Sequence, residues 1–523
     1  MKTRRRRQGR SGARLLIAGA LVIAATATTA GSALGEQNAG NPPAPVQGLR
    51  QVELSVPTAD GLALPATLRI PDEPRPGAPA VVLVHGAGEG PREKYRQEAE
   101  AFAAAGVATL AYDKRSVGYS LTERSYSQLA DDAVAASAVL REQPGVDPGA
   151  VGLWGLSEGG WVAPLAASRD PRTAFLVVVG ANGLEPLRQQ TWAEALKVHA
   201  AGVRGSLVDA ASAGVYRLIN DMGLFAEAYY DSAPVLAGLT LPVLGIWGAM
   251  DRATPPVESV TAFRAGLDRA GNPHYTLRTI DGADHGLRAT ADGFSRGSEF
   301  APGYVDLVVS WTSAAASGDA PATSVSGTGD QPLPTAPVPP LGWWESAPAH
   351  GVALVLMLVG FIGFALTAAV RRIHRAFRPR PATPAPAAAR IVAGAGLAAV
   401  VGTLYYLTEL TFVRGGRLID PGPLLAGRTL PWLALQALAV ATVVAAAVLV
   451  VGLVRGHGRG RIAADAAAAP LPVGAGHGGR GPGTVRRPAA PARSAAERVR
   501  IAALLVATAA FVPWALYWGL LLP

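Results

Sequence analysis

The sequence predicts an α/β domain built on a mostly parallel sheet with a helical cap, followed by four transmembrane helices. Three observations predict it. Short β-branched apolar runs alternate with helix-like stretches from Gln51 to about Thr312. That rhythm is interrupted once, between about Leu184 and Leu239, by helical patterns without a clear strand. Beyond Pro340 come four uncharged or nearly uncharged runs of bilayer-spanning length.

The first residues read as a targeting segment. Arg4 to Arg7, Arg10 and Arg14 form a basic start, Leu15 to Ala27 an apolar run, and Gly31 and Ala33 a small-residue cleavage context. Residues 1–34 are therefore expected to be a signal peptide or an N-terminal anchor, and either one exports the domain behind it. Residues 35–50, rich in Pro, Gly and Asn, form a linker. Within 51–312, Val52 to Val56 and Ala63 to Ile70 read as an opening antiparallel pair. The runs at 80–84, 108–112, 151–154, 175–179, 243–247 and 275–280 suit strands buried on both faces. Arg92 to Ala105 and Gln128 to Arg141 read as helices between them. Residues 313–345 have few large apolar side chains and are expected to be a flexible stalk ending at Trp343 and Trp344, placed as interfacial anchors are.

The four apolar runs are 351–370, 391–413, 431–454 and 501–522. Arg371 to Arg390 carries six arginines and Arg455 to Arg500 nine, whereas 414–429 carries three. Basic loops stay in the cytoplasm, so the first span runs outside to inside and the domain before it faces out, as the N-terminal segment also predicts. The expected location is a multi-pass cell-membrane protein in contact with the lipid bilayer, its folded domain extracytoplasmic.

Charge fits this division. The whole chain has a net charge of +9, but Gln51 to Thr312 holds 21 Lys/Arg against 30 Asp/Glu, a net of −9. The excess arginine lies at the N-terminus and around the apolar runs, which argues against nucleic acid as a partner. The absence of cysteine excludes disulfides, thiolate metal sites and a cysteine nucleophile.

Gly155-Leu156-Ser157-Glu158-Gly159 matches G-x-S-x-G, placed between the apolar strand Val151 to Trp154 and a helix-like stretch. Such a turn raises a serine hydroxyl above the sheet, and its flanking glycines leave room for the turn. A serine needs a base. Of His85, His199, His274 and His285, the last lies in a polar loop directly after the final strand, Asp281 to Gly286, and is the chosen base. Asp251, at the carboxyl end of the strand 243–247, is the carboxylate expected to orient it, with Asp284 as the less favoured rival. His85-Gly86-Ala87-Gly88 follows the strand 80–84, where backbone amides can face a developing oxyanion; Ala87 and Glu158 are the candidate donors.

These motifs, with Tyr112-Asp113-Lys114-Arg115-Ser116-Val117-Gly118-Tyr119-Ser120, resemble the α/β-hydrolase superfamily, in the branch of serine aminopeptidases, monoacylglycerol-lipase-like esterases and dienelactone-hydrolase relatives. They cover about half the chain. Ser116 stands where that family usually has glycine, in a turn-shaping motif. The resemblance implies an α/β-hydrolase fold and acylation of Ser157 by an ester, thioester or amide. His285 would be the base, Asp251 its partner, and Ala87 and Glu158 the oxyanion donors. His85, Gly86, Gly155 and Gly159 would shape the turns. It implies no metal and no organic cofactor.

The expected partner is a small acyl ester or a peptide. Trp192, Tyr216, Leu224, Phe225, Tyr229 and Tyr230 in the cap are candidate pocket walls, and Glu158 and Glu89 could receive a substrate amine. Alternatives are an aminopeptidase-like peptidase, or a non-catalytic binding or sensing domain on a membrane module.

Overall fold

The computed structural model describes residues 47–120, 122–374, 385–413, 420–468 and 495–523. The N-terminal signal or anchor segment, most of the 35–50 linker and parts of the two arginine-rich loops lie outside them.

A nine-stranded sheet organises the first part of the chain. Its order is β1-β2-β4-β3-β5-β6-β7-β8-β9. β1 (Leu49–Pro57) and β2 (Ala63–Pro71) form an antiparallel hairpin, and β2 pairs antiparallel with β4. From β4 (Ala108–Tyr112) through β3 (Ala80–Val84), β5 (Val151–Leu156), β6 (Leu176–Val179), β7 (Val243–Gly248) and β8 (Tyr275–Ile280) every pairing is parallel. β3, β4, β5 and β7 are buried almost throughout, because helices cover both faces of the sheet. α1 (Arg96–Ala104), α2 (Tyr126–Arg141) and α3 (Gly159–Arg169) provide crossovers.

The cap leaves the sheet between β6 and β7. It comprises α4 (Pro186–Ala200), α5 (Ser206–Asp209), a π-turn at Ala210–Gly214, α6 (Val215–Asp221) and the short α7 (Ala233–Leu236). α8 (Pro256–Arg269) and α9 (Tyr304–Ala316) complete the body.

Residues 313–345 are not the flexible stalk their composition predicts. α9 runs on to Ala316, and the chain then turns back across the body as a strap. β9 (Ser324–Ser326) adds to the β8 edge in parallel. Asp330 N–H donates to Ala249 O at 2.7 Å, and Arg252 pairs with the Asp330 carboxylate at 2.6 Å. The Gln331 side chain accepts from the amides of Val257 and Glu258, capping α8. Thr335 bonds Glu258, Trp192 Nε1 donates to Leu333 O, and Val338 is buried against Leu187. Backbone and polar side chains hold this segment, which is why a tally of apolar residues does not find it.

Four helices follow: α10 (Ala347–His374), α11 (Pro386–Thr408), α12 (Leu430–Ala468) and α13 (Ala495–Tyr517). All four are long and apolar enough to cross a bilayer. α10 packs on α13, and α11 on α12 and α10. The cap sits on one end of this bundle. Val208, Ala211, Val215, Leu218 and Met222 share one apolar cluster with Phe361, Leu407, Trp432 and Trp514. Polar contacts frame that cluster: Ser206 Oγ donates to Gly519 O at 2.8 Å, Tyr517 OH to Gly214 O at 2.8 Å, and Ala347 N–H to Asp221 Oδ2 at 2.7 Å.

Candidate active site

β5 ends in a turn that requires its glycines. A Cβ on Gly155 would lie 2.3 Å from Gly159 O, and one on Gly159 would lie 2.5 Å from Val84 O. Between them Ser157 adopts φ 57°, the left-handed region, which costs a non-glycine residue on the order of 1 kcal/mol or more. The turn is held because Ser157 N–H donates to Val179 O at 3.0 Å and α3 begins at once. The serine is left half-buried at the carboxyl end of the sheet.

Asp251 follows β7 and is wholly buried. Its Oδ1 accepts from the amides of Ala253 and Thr254, each at 2.8 Å, while the Thr254 hydroxyl lies 2.6 Å from Oδ2. The remaining contact is His285 Nδ1 at 2.8 Å from Oδ2. The Nδ1–H must donate to the carboxylate, which leaves Nε2 of the neutral ring as an acceptor. The imidazole keeps 19% exposure. Asp284 is occupied elsewhere: it accepts from the amides of Gly286 and Arg288 and pairs with Arg296 at 2.9 Å, shaping the loop that presents His285.

The end of β6 links these groups. Ser157 bonds Val179, and a Cβ on the next residue, Gly180, would fall 2.8 Å from His285 Nδ1. The Thr254 hydroxyl is also 3.1 Å from Gly180 O. Sequence reasoning misses Thr254, whose only signal there is a hydroxyl three residues after the carboxylate.

The 85–88 turn abuts the serine, since a Cβ on Gly86 would meet Ser157 Cβ at 3.3 Å. Gly86 N–H donates to Tyr95 OH at 2.8 Å and Gly88 N–H to Tyr119 OH at 3.1 Å. The Ala87 amide between them has no acceptor among the described residues, and the Glu158 amide at the head of α3 has none either. His85 is a buried peg for this turn. Its Nε2 is 2.6 Å from Tyr112 O, and burial, aided by the Lys114 cation, pushes its pKa down to about 3.

The Glu158 side chain departs from expectation. It is fully buried, 2.9 Å from Lys114 Nζ and 2.7 Å from Arg124 Nη1, with Tyr119 OH at 2.9 Å. With its charge matched by two cations, it is neither a solvated rim residue nor an open receptor for an amine. Glu89 is exposed. Lys114 also donates to Gly86 O and Gly88 O, so one cluster ties the nucleophile turn to the 85–88 turn. Burial draws the Lys114 pKa down to about 8 against the opposing pull of Glu158. Ser116, the departure from the family motif, is exposed and outside the left-handed region, so its backbone does not require glycine. A cleft of about 740 Å³ opens beside Gly88, Glu89, Lys114 and Tyr119; its lining does not reach Ser157 or His285.

The six cap candidates separate. Trp192 packs beneath the strap, Tyr216 on Phe225, and Tyr230 edge-on to Tyr126. Leu224 and Tyr229 are exposed. Phe225 lies over the Arg124 guanidinium at 5.5 Å, beside the Glu158 cluster.

Comparison with known proteins adds to this geometry. The family described as serine aminopeptidase, S33, matches residues 76–232, a stretch that holds Ala87, Ser157 and Glu158 and ends before Asp251 and His285. A thiohydrolase of Aspergillus aculeatus is 34% identical over 131 residues, 24% of this chain and 40% of its own length. A quorum-quenching protein of Acinetobacter baumannii is 36% identical over 105 residues, 19% of this chain and 34% of its own. The chain thus spans well under half the length of these curated relatives. Among solved structures, a carboxyl esterase from Tuber melanosporum aligns at 19% identity and TM-score 0.37, covering 53% of this chain and 89% of that one. A dienelactone hydrolase from Anabaena variabilis aligns at 20% and 0.33, covering 51% and 96%. With the family match, the strand order and the glycine-bounded serine turn together, the chain carries a domain of the α/β-hydrolase superfamily, joined to four helices of bilayer-spanning length.

Proposed function

We propose that this chain is a membrane-anchored serine hydrolase, its catalytic domain outside the cell, that cleaves acyl esters or thioesters through Ser157, His285 and Asp251. One observation carries the reading: a buried carboxylate holds His285 Nδ1 at 2.8 Å against Gly180, at the end of the strand whose Val179 O accepts from the amide of a serine kept in a left-handed turn. His285 Nε2 takes the Ser157 proton as Oγ attacks the acyl carbon. The Ala87 and Glu158 amides receive the oxyanion. The ring then returns the proton to the leaving alcohol or thiol, and Asp251 stabilises the transient imidazolium. Water, deprotonated by the same nitrogen, releases the acid and regenerates the serine hydroxyl.

Esters and thioesters are favoured over N-terminal amines because the Glu158 carboxylate is already matched by Lys114 and Arg124. The match to the Aspergillus aculeatus thiohydrolase supports including thioesters. The outward orientation rests on the arginine-rich loops.

The test is fluorophosphonate labelling of the full chain, followed by assay with p-nitrophenyl esters, acyl thioesters and aminoacyl amides. Labelling is expected in the wild type and lost in Ser157→Ala and His285→Ala. A folded wild type that resists labelling would replace the enzyme with a binding or sensing domain. Faster turnover of the aminoacyl amides would favour the peptidase.

A further inference from the structure

The two candidate oxyanion donors come from different segments, Ala87 from the turn after β3 and Glu158 from the head of α3. Such donors act only when both are aimed in advance at one oxygen. A single ammonium, that of Lys114, touches both segments.

On the first segment, Lys114 Nζ donates to Gly86 O. That oxygen and the Ala87 N–H belong to one peptide unit, and in a trans unit the two point opposite ways. A cation on the oxygen therefore turns the N–H away from Lys114 and draws electron density from it, which strengthens the donor. The same ammonium lies 3.2 Å from Gly88 O and 3.0 Å from Tyr119 OH, which accepts from Gly88 N–H at 3.1 Å. Both flanks of Ala87 are thus fixed. On the second segment it lies 2.9 Å from Glu158 Oε1, where Tyr119 OH also donates, while Arg124 holds Oε2. Residue 158 is anchored through its carboxylate, and its amide has no acceptor among the described residues.

The Lys114 side chain is 4% exposed, and its three N–H groups face four oxygens, so none is spare for a substrate. Gly90 makes room for it: a Cβ there would lie 2.7 Å from Lys114 Cβ and 2.9 Å from the His85 ring. Loss of one proton would leave two N–H groups and a lone pair among those oxygens, and an oxygen facing the lone pair is released.

We infer that Lys114 is the positioning residue of the oxyanion site, holding the Ala87 and Glu158 amides in register only while it is charged. The inference rests on the catalytic reading proposed above. The charged and titratable groups that face Lys114 are Glu158, Arg124, Lys94, Tyr119 and His85. Its chain neighbours Asp113 and Arg115 are engaged elsewhere, with Arg92 and with Asp60 and Asp132. Burial draws the Lys114 pKa down to about 8, opposed by Glu158 and aided by Lys94 and Arg124. Burial also pushes Tyr119 up, out of that range, and keeps His85 neutral there. Lys94 is drawn down by burial too, so substitutions at position 114 separate the two lysines.

Turnover of p-nitrophenyl butyrate by the full chain in lipid nanodiscs is measured from about pH 6 to about pH 10. In the wild type kcat should fall as pH rises through about 8. Lys114→Met should lower kcat at neutral pH by roughly ten- to a hundredfold with little change in KM, a smaller loss than deletion of an oxyanion donor. That variant leaves Glu158 paired with Arg124, and Lys114→Gln replaces it if it does not elute as a folded species. Neither new side chain titrates, so the alkaline fall should vanish. Inhibition by an alkyl trifluoromethyl ketone, whose serine adduct carries an oxyanion, should weaken by the same factor as kcat/KM. A wild type without the alkaline fall, or a folded variant that keeps that fall or the wild-type kcat, would overturn the inference and leave the triad standing. A raised KM at unchanged kcat would overturn it as well, making Lys114 a substrate contact. A wild type that neither turns over nor takes a fluorophosphonate removes the catalytic reading, and this inference falls with it.

Discussion

The sheet domain and the helix bundle are built from similar apolar side chains and treat them oppositely. In β3 and β7 every residue is buried. In the bundle Val359 is 65% exposed and Leu366 62%, with many other valines and leucines alongside. The polar groups reverse as well. The domain buries Arg115 with Asp132 and Arg141 with Asp170, whereas the apolar middles of the four helices are almost free of charge. One chain therefore satisfies two solvents, water around the sheet and hydrocarbon around the bundle. The cap is where the two meet, with its α6 face buried in the bundle cluster.

The largest effect concerns the domain's chemistry. Ser157→Ala and Asp251→Asn are each expected to lower kcat/KM by about a thousandfold or more while the melting temperature stays within a few degrees, measured on the best ester found. A smaller loss would remove Asp251 from the mechanism. Next, Val359→Arg places a charge on the exposed face of α10. In water such a surface change alters stability by about 0.5 kcal/mol or less, whereas at mid-bilayer it costs roughly 2.5–3.5 kcal/mol. Carbonate-resistant membrane retention should fall, and unchanged retention would mean that this face does not meet lipid. Of similar size, Arg124→Met leaves Glu158 with a single cation in a buried setting, and a loss of about 3 kcal/mol is expected in thermal unfolding.

Two smaller effects refine the domain side. Thr254→Val removes a hydroxyl 2.6 Å from Asp251 and should lower kcat roughly tenfold with little change in KM, restored by Thr254→Ser. Finally, His85 titrates near 6.5 when unfolded and near 3 when folded. Between those values the unfolded chain binds the extra proton, so stability rises with pH across this window and is lost as pH falls through it. The wild type should show up to about 1.4 kcal/mol per pH unit more slope there than His85→Gln, and parallel curves would refute the assignment.

How much the sequence discloses depends on range. Short apolar runs and glycines are local signals, so the strands through β8, the four long helices and the Ser157 turn were all legible. The hydrogen bond between Asp251 and His285 was reachable because each sits directly after its own strand. The pairing of Glu158 with Lys114 and Arg124 was not, since which charges meet is decided by contacts 44 and 34 positions apart. The strap escapes for a related reason. Its backbone pairs with an edge that no nearby residue announces, and its Ser, Thr and Pro content resembles that of an unstructured linker. Cap aromatics such as Trp192 and Tyr230 could be named but not placed, because the surfaces they cover belong to the strap and to α2.

The strap also settles how far the domain can wander. A loose coil over the 28 positions from 313 to 340 would let it range over about 30 Å. Bound instead along β8, the Asp251 loop and the cap, those residues exchange reach for a fixed standing height above the helices. On the proposed catalytic reading, a substrate has to come to that level.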